Sequence, residues 1–280
     1  FAQIFGLFCF SKISYNKAMK FNREKLSAEQ EPSELYQAEV IVVPGHSIER
    51  VDVKGEEKWK PTRLIQEVDD KGWRTAERNL DLDKDGENAI VGGGNAVTLA
   101  AAQYYEDLVK KGVPPKLVIF AAGRAAALDK HAADNPSLSE AGPMMEVFER
   151  ETNASENLGN ENIKILDKTK TTQDDVENSI ELAHAEGLTK VAFLLLDLRL
   201  DRAEAFWEAM KEKKPELVSM EVKFLAAEDF LRERYKDQPE MIEKILSEFT
   251  ASEAYHKTNQ AEIGGAEAVR SGKYKGKGQY

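Results

Sequence analysis

From residue 38 onward, short apolar runs rich in β-branched residues alternate with segments whose apolar positions recur every three or four residues. That alternation predicts a Rossmann-like α/β fold, a mostly parallel sheet with helices on both faces. The strand runs are VIVVPG (40–45), KLVIFAAG (116–123), IKILD (163–167), KVAFLLLD (190–197) and LVSMEVKFLA (217–226). The first four are nearly continuous in hydrophobicity, as strands buried on both faces are. The last alternates, with Val218, Met220, Val222 and Phe224 on one side, and reads as an edge strand.

Between the strands lie helices with readable ends. AVTLAAAQYYEDLVKKG sets Val97, Ala101, Tyr104 and Leu108 on one stripe, carries Lys110 and Lys111 in its last turn, and stops at Gly112 ahead of Pro114 and Pro115. SEAGPMMEVFERE opens at Ser139 and DDVENSIELAHAEG ends at Gly187. DRAEAFWEAMKEKK is expected to begin at Asp201 as N-cap and to stop before Pro215. The domain plan is then an N-terminal segment 1–37, a Rossmann-like domain 38–226, C-terminal helices 227–270 and a tail 271–280. Within the domain, residues 46–94 form a charged insertion too long for a structureless loop, which predicts a lid or subdomain. Beyond residue 227 the pattern predicts two amphipathic helices and a small, disordered basic tail.

Composition narrows the function classes. Lys and Arg number 39 against 50 Asp and Glu, a net charge of −11, which argues against nucleic acid or an anionic membrane as partner. A hydrophobic share of 41% supports a sizeable core and excludes wholesale disorder. Cys9, the one cysteine, forms neither an internal disulfide nor a Cys-based zinc site. No apolar run reaches the roughly 18 residues of a membrane span. The uncharged opening FAQIFGLFCF reads either as a packed terminal element or as the cut end of a signal or anchor. A cytoplasmic location is the expectation, with an anchored, envelope-facing protein as the alternative.

In an open parallel sheet, ligands bind beyond the carboxyl ends of the strands. Gly45, His46 and Ser47 follow the first strand, and Gly94 and Asn95 open the first helix within GGGNA, where backbone N–H groups suit a phosphate or carboxylate. Gly123 and Arg124 follow the second strand, with Glu140 farther on. Asp167, Thr169, Thr171, Thr172, Asp174 and Asp175 follow the third, and Asp197, Arg199 and Arg202 the fourth. Neither GxGxxG with an acidic ribose ligand nor a P-loop is present. Asp81, Asp83 and Asp85 form the first half of a calcium loop, but Asn88 and Gly92 stand where that loop needs an aliphatic residue and a glutamate. A solvated acidic turn is favoured there over a metal site. His46 suits a pocket hydrogen-bond donor better than a catalyst: no G-x-S-x-G elbow is present, and His131, His184 and His256 fall in a loop or on helix surfaces.

The order of these motifs resembles the YdcF-like family, which includes the SanA and ElyC envelope proteins, over about residues 38–212. The carriers are an apolar strand ending in Gly45, GNAV (94–97) before a long helix, a strand ending in Gly123, SEA (139–141), the Thr169/Thr172/Asp174/Asp175 run, and LDLRLDRA (196–203). Departures are Ala122-Gly123-Arg124 where the family has Ser-Gly-Gly, Asp174 and Asp175 in place of Glu-Asn, and Leu195, Leu196 and Arg199 where many members carry Thr-Ser and His. The added guanidiniums at 124 and 199 shift the expected pocket toward anionic ligands. The resemblance implies a strand-end pocket, S-adenosylmethionine binding through one branch, and envelope polysaccharide or peptidoglycan metabolism through others.

The leading expectation is a small-molecule-binding protein with a nucleotide-like or S-adenosylmethionine-like ligand at the carboxyl edge of the sheet. Its site would comprise Gly45, His46, Ser47, Gly94, Asn95, Gly123, Arg124, Glu140, Thr169, Thr172, Asp174, Asp175, Asp197 and Arg202. Amides of Gly94 and Asn95 would hold the negative end, Arg202 would pair with a carboxylate or phosphate, and Glu140 or Asp175 would accept from hydroxyls or an amine. One alternative is a metal-assisted transferase or hydrolase acting on an envelope precursor, with Glu140, Asp174, Asp175 and Asp197 gathering a divalent cation. Another is a non-catalytic envelope factor that meets a partner through the insertion and the C-terminal helices.

Overall fold

The computed structural model describes residues 35–46, 48–53, 55–62, 65–67, 73–75, 89–91, 93–123 and 138–274, and its elements all belong to the unit Gln37–Tyr280. β1 (Val40–Pro44) leads into five short strands, β2 (Ile48–Val53), β3 (Glu56–Pro61), β4 (Ile65–Glu67), β5 (Trp73–Thr75) and β6 (Ala89–Val91). Then come α1 (Gly94–Lys110), β7 (Leu117–Ala121), α2 (Ala141–Thr152), α3 (Ala154–Leu158), β8 (Ile163–Leu166) and α4 (Thr172–Ala185). β9 (Lys190–Leu195), α5 (Asp197–Lys213), β10 (Glu221–Ala226), α6 (Ala227–Arg234), α7 (Pro239–Ala251) and α8 (Glu253–Arg270) complete the chain.

Five strands form one all-parallel sheet in the order β10-β9-β1-β7-β8. Val42 lies between Ile119 and Phe193 in this register. The three central strands are apolar except for Lys190 at the start of β9, because helices cover both of their faces. Val40, Val42, Leu117, Ile119, Val191 and Phe193 pack with Val176 and Ile180 of α4 and with Phe206, Trp207 and Met210 of α5. On the opposite face Phe120 meets Phe148 of α2 edge to face, and Tyr105 of α1 meets the same ring. The expected stripe of Val97, Ala101, Tyr104 and Leu108 is wholly buried, and Gly112 ends that helix region at φ +75°. At the amino ends of the strands, Glu39 accepts from Lys116 at 2.7 Å and from the Thr189 amide at 2.9 Å. The Lys116 bond foremost, and the Thr189 amide next, pull its carboxyl down to about 2.

Several boundaries differ from the sequence reading. β8 is an edge strand and not buried on both faces, with Ile165 39% exposed. Residues 217–220 are not strand: Pro215–Leu217 is a 3₁₀ turn, Val218 is 62% exposed, and β10 starts at Glu221. α5 starts at Asp197, so Asp201 lies inside the helix instead of capping it. The C-terminal region holds three helices instead of two, since Pro239 opens α7 and Ser252 caps α8 by accepting from the Tyr255 amide. Residues 271–274 are ordered, with the Tyr274 ring edge-on to Phe206.

The insertion contains two small sheets, β3-β2-β5 and β4-β6. Ile48 and Trp59 form a minor apolar cluster with Leu138, just before Ser139. Among the described residues no helix is long and apolar enough to cross a membrane. FAQIFGLFCF with Cys9, Ser47, the acidic turn Asp81/Asp83/Asp85, Arg124, His131 and residues 275–280 lie outside the described residues.

Candidate functional site

The chain runs outward from β1 through β7 to β8, then returns to β9 on the other side of β1, and this reversal marks the crevice where such sheets bind ligands. Gly45 and His46 leave β1 at that point. His46 is 1% exposed, and neither ring nitrogen has a hydrogen-bond partner. Burial first, and the Arg199 guanidinium second, hold its imidazole well below the ordinary histidine range, which favours the neutral ring. Leaving such a group unpaired costs about 1–3 kcal/mol, an arrangement that fold stability alone disfavours.

Glu140 arrives beside it because the start of α2 is fastened to the exit of β7. The Glu140 and Ala141 amides donate to the Gly123 and Ala122 carbonyls at 3.0 and 2.9 Å. This lays the buried Glu140 carboxylate on Gly45, where a Cβ would stand 2.7 Å from Oε2. Gly123 in turn admits the loop after β8. Its N–H donates to Thr169 Oγ1 at 2.9 Å, and a Cβ on Gly123 would stand 1.8 Å from the Thr169 carbonyl oxygen.

That loop leads into α4 through a capping box. Thr171 Oγ1 accepts from the Asp174 amide at 3.1 Å, while the Asp174 carboxylate accepts from the Thr171 and Lys170 amides at 3.1 and 2.9 Å. Asp174 is therefore committed to the cap. Asp175, rotated about 100° around the helix, is buried. Burial foremost pushes its carboxyl well above the usual range; a Thr169 hydrogen bond opposes this, the Glu140 charge adds to it, and Arg199 opposes it. The protonated acid is thereby favoured beside the Glu140 carboxylate.

Arg199, in the first turn of α5, closes the group. Its Nη1 donates to the Gly45 carbonyl at 3.3 Å, and its buried Nε makes no hydrogen bond, with Glu262 Oε1 3.7 Å away. Gly45, His46, Gly123, Glu140, Thr169 and Asp175 are thus brought together as expected, with Arg199 as the cation.

Other expected members are not. Arg202 faces α8, where Nη1 donates to Glu262 at 3.2 Å and Nη2 to the Tyr274 hydroxyl at 3.0 Å, against the Cα of Gly265. Its two Nη atoms are held by α8 and Tyr274, while its Nε is buried without a hydrogen bond. The amides of Gly94 and Asn95 are spent inside the protein, on the His46 carbonyl at 3.0 Å and the Thr62 carbonyl at 2.9 Å. Thr62 Oγ1 also donates to His46 O and accepts from the Gly93 amide, so the Gly93, Gly94 and Asn95 amides all have partners within the protein. Asp197 is exposed, its N–H donating to both carboxylate oxygens of Glu228 at 3.2 and 3.0 Å. Thr172 is half-buried at the start of α4. Among the described residues, no three His, Cys, Asp or Glu side chains stand together as a metal ion needs.

The sequence places Arg199 at a strand exit, as a cation that turns the pocket toward anions, without counting it among the ligand-binding residues, and it does not announce Thr62, Glu228 or Glu262. A helix starting at Asp197 sets Arg199 and Arg202 three residues apart on one face. Thr62, Glu228 and Glu262 carry no local signal, because each acts across a long sequence separation. No protein-family model, curated protein or solved structure matches the chain.

Proposed function

We propose that this protein binds a small molecule, nucleotide-like or S-adenosylmethionine-like, at the carboxyl edge of the sheet beside the reversal between β1 and β9. The observation that carries this reading is His46, a fully buried imidazole with both nitrogens unpartnered at the position where the topology favours a ligand. Arg199 supplies the cation for a phosphate or carboxylate. The order of motifs shared with the YdcF-like family supports the same place and ligand class.

The test is a thermal-shift panel of S-adenosylmethionine, nucleotides and sugar nucleotides, each with and without magnesium or calcium, on the unsubstituted chain and on Arg199→Met and Arg202→Met. A ligand at about 100 times its Kd adds about 2.7 kcal/mol. The expected shift disappears in Arg199→Met, persists in Arg202→Met and does not require the metal. A shift seen only with magnesium or calcium favours the metal-assisted transferase or hydrolase instead. No shift with any compound overturns the proposal.

A further inference from the structure

We propose that Glu228 is the positioning residue that holds Arg199 where a ligand anion needs it, by capping α5 from the neighbouring helix. This inference rests on the binding reading above and adds to it a residue outside the site that governs affinity.

The register of the sheet brings the two elements together. Leu195 lies opposite Ala226 in the parallel pair of β9 and β10, and each strand passes almost directly into a helix. Two residues beyond that pair stand Asp197, the first residue of α5, and Glu228, the second of α6. The first amides of a helix have no partner within it, and an N-cap side chain ordinarily supplies one. Leu196, in the N-cap position of α5, has no side-chain oxygen to offer. Packing claims that position instead: Leu196 is fully buried, and a Cβ on Gly93, just before α1, would stand 2.7 Å from its Cδ1. The Glu228 carboxylate takes over the missing task, accepting the Asp197 amide on both oxygens at 3.2 and 3.0 Å from a buried position. Arg199 sits in the turn so fixed, its amide donating to the Leu196 carbonyl at 2.8 Å. From there its side chain reaches the exit of β1, where Nη1 donates to the Gly45 carbonyl at 3.3 Å while Nε makes no hydrogen bond. A long side chain held so lightly at its tip takes its place from its backbone. Arg202, about one turn later, is held at its tip by Glu262 and Tyr274 and does not depend on the cap.

The test follows Arg199 first without a ligand and then with one, in the full chain carrying Glu228→Gln, Glu228→Asp or Glu228→Met. Glutamine keeps the reach and an acceptor but loses the charge, aspartate keeps the charge but draws it back by one methylene, and methionine keeps the reach alone. Exchange of the arginine Nε protons, read by NMR with isotope-labelled arginine, is expected to quicken about fivefold at Arg199 in the Asp and Met variants, as a lost cap allows. It should stay at the parent rate in the Gln variant, and at Arg202, whose Nε is equally buried, in all three. In isothermal titration with S-adenosylmethionine, adenosine monophosphate and uridine diphosphate glucose, the Asp and Met variants are expected to bind about fivefold or more weakly than the parent, and the Gln variant as tightly. Unchanged exchange at Arg199 in the Asp and Met variants overturns the proposal. So does an impaired Gln variant beside a parent-like Asp variant, which would make charge and not reach the cause. The Asp and Gln pair decides this even where the Met variant does not fold. Undiminished binding in the Asp and Met variants removes the positioning role alone; if no compound binds the parent, the binding reading falls and this inference with it.

Discussion

A buried imidazole with two idle nitrogens sets stability against binding at a single residue. In most core positions a substitution weakens the fold, but at His46 an apolar ring of similar size removes the unpaired polar atoms. His46→Phe is expected to leave Tm unchanged or raise it, while abolishing the ligand-induced shift; a drop of several degrees would show that the imidazole serves the fold. The residues around it were legible in the sequence to the extent that they sit at strand exits. Gly45, His46, Gly123, Glu140, Thr169 and Asp175 all follow apolar runs within a few positions or open the next helix. The start of α5 was misplaced because Asp201 looks like an N-cap. The side chain that fixes the true start is Glu228, thirty-one positions farther along.

At the scale of elements, that same carboxylate gives α5 a pH-dependent hold on its first turn. Burial foremost, opposed by the hydrogen bonds it accepts and reinforced by the charges of Asp197 and Asp229, raises Glu228 from 4.5 to about 7. The folded chain therefore keeps a proton that the unfolded chain releases between those values. Its contribution is fully present below pH 4.5 and is lost as pH rises through about 7, a total on the order of 3 kcal/mol. Glu228→Gln retains an acceptor for the Asp197 amide and removes the titration. Urea unfolding of both proteins at about pH 5 and pH 8 should show the variant gaining relative to the parent at the higher pH; a constant difference would refute the assignment. The central strands and α1 were legible because continuous or helical periodicity extends over whole elements. β10 was overextended because Val218 and Met220 continue an alternation that the turn after Pro215 does not obey.

Across the whole molecule, the C-terminal helices are part of the α/β layer arrangement. Amphipathic pattern announced that they bury a face, but not against what. α8 lies on α5, with Glu262 between Arg199 and Arg202, Arg270 paired with Asp201 at 3.0 Å, and Tyr274 against Phe206. Arg202→Met is expected to cost about 1–3 kcal/mol, read as a lower Tm, with the Kd of any strand-end ligand nearly unchanged. A weakened Kd at unchanged Tm would return Arg202 to the site.

The contact between Arg199 and Glu262 also orders events during synthesis. Ribosomes add about 5–20 residues per second, so all five strands of the main sheet exist as chain seconds before Glu262 does. A nascent chain halted just after Ala226 has its sheet sequence complete but lacks both the carboxylate that caps α5 and the one beside Arg199. Both carboxylates therefore reach the first turn of α5 only after every strand of the main sheet has been made.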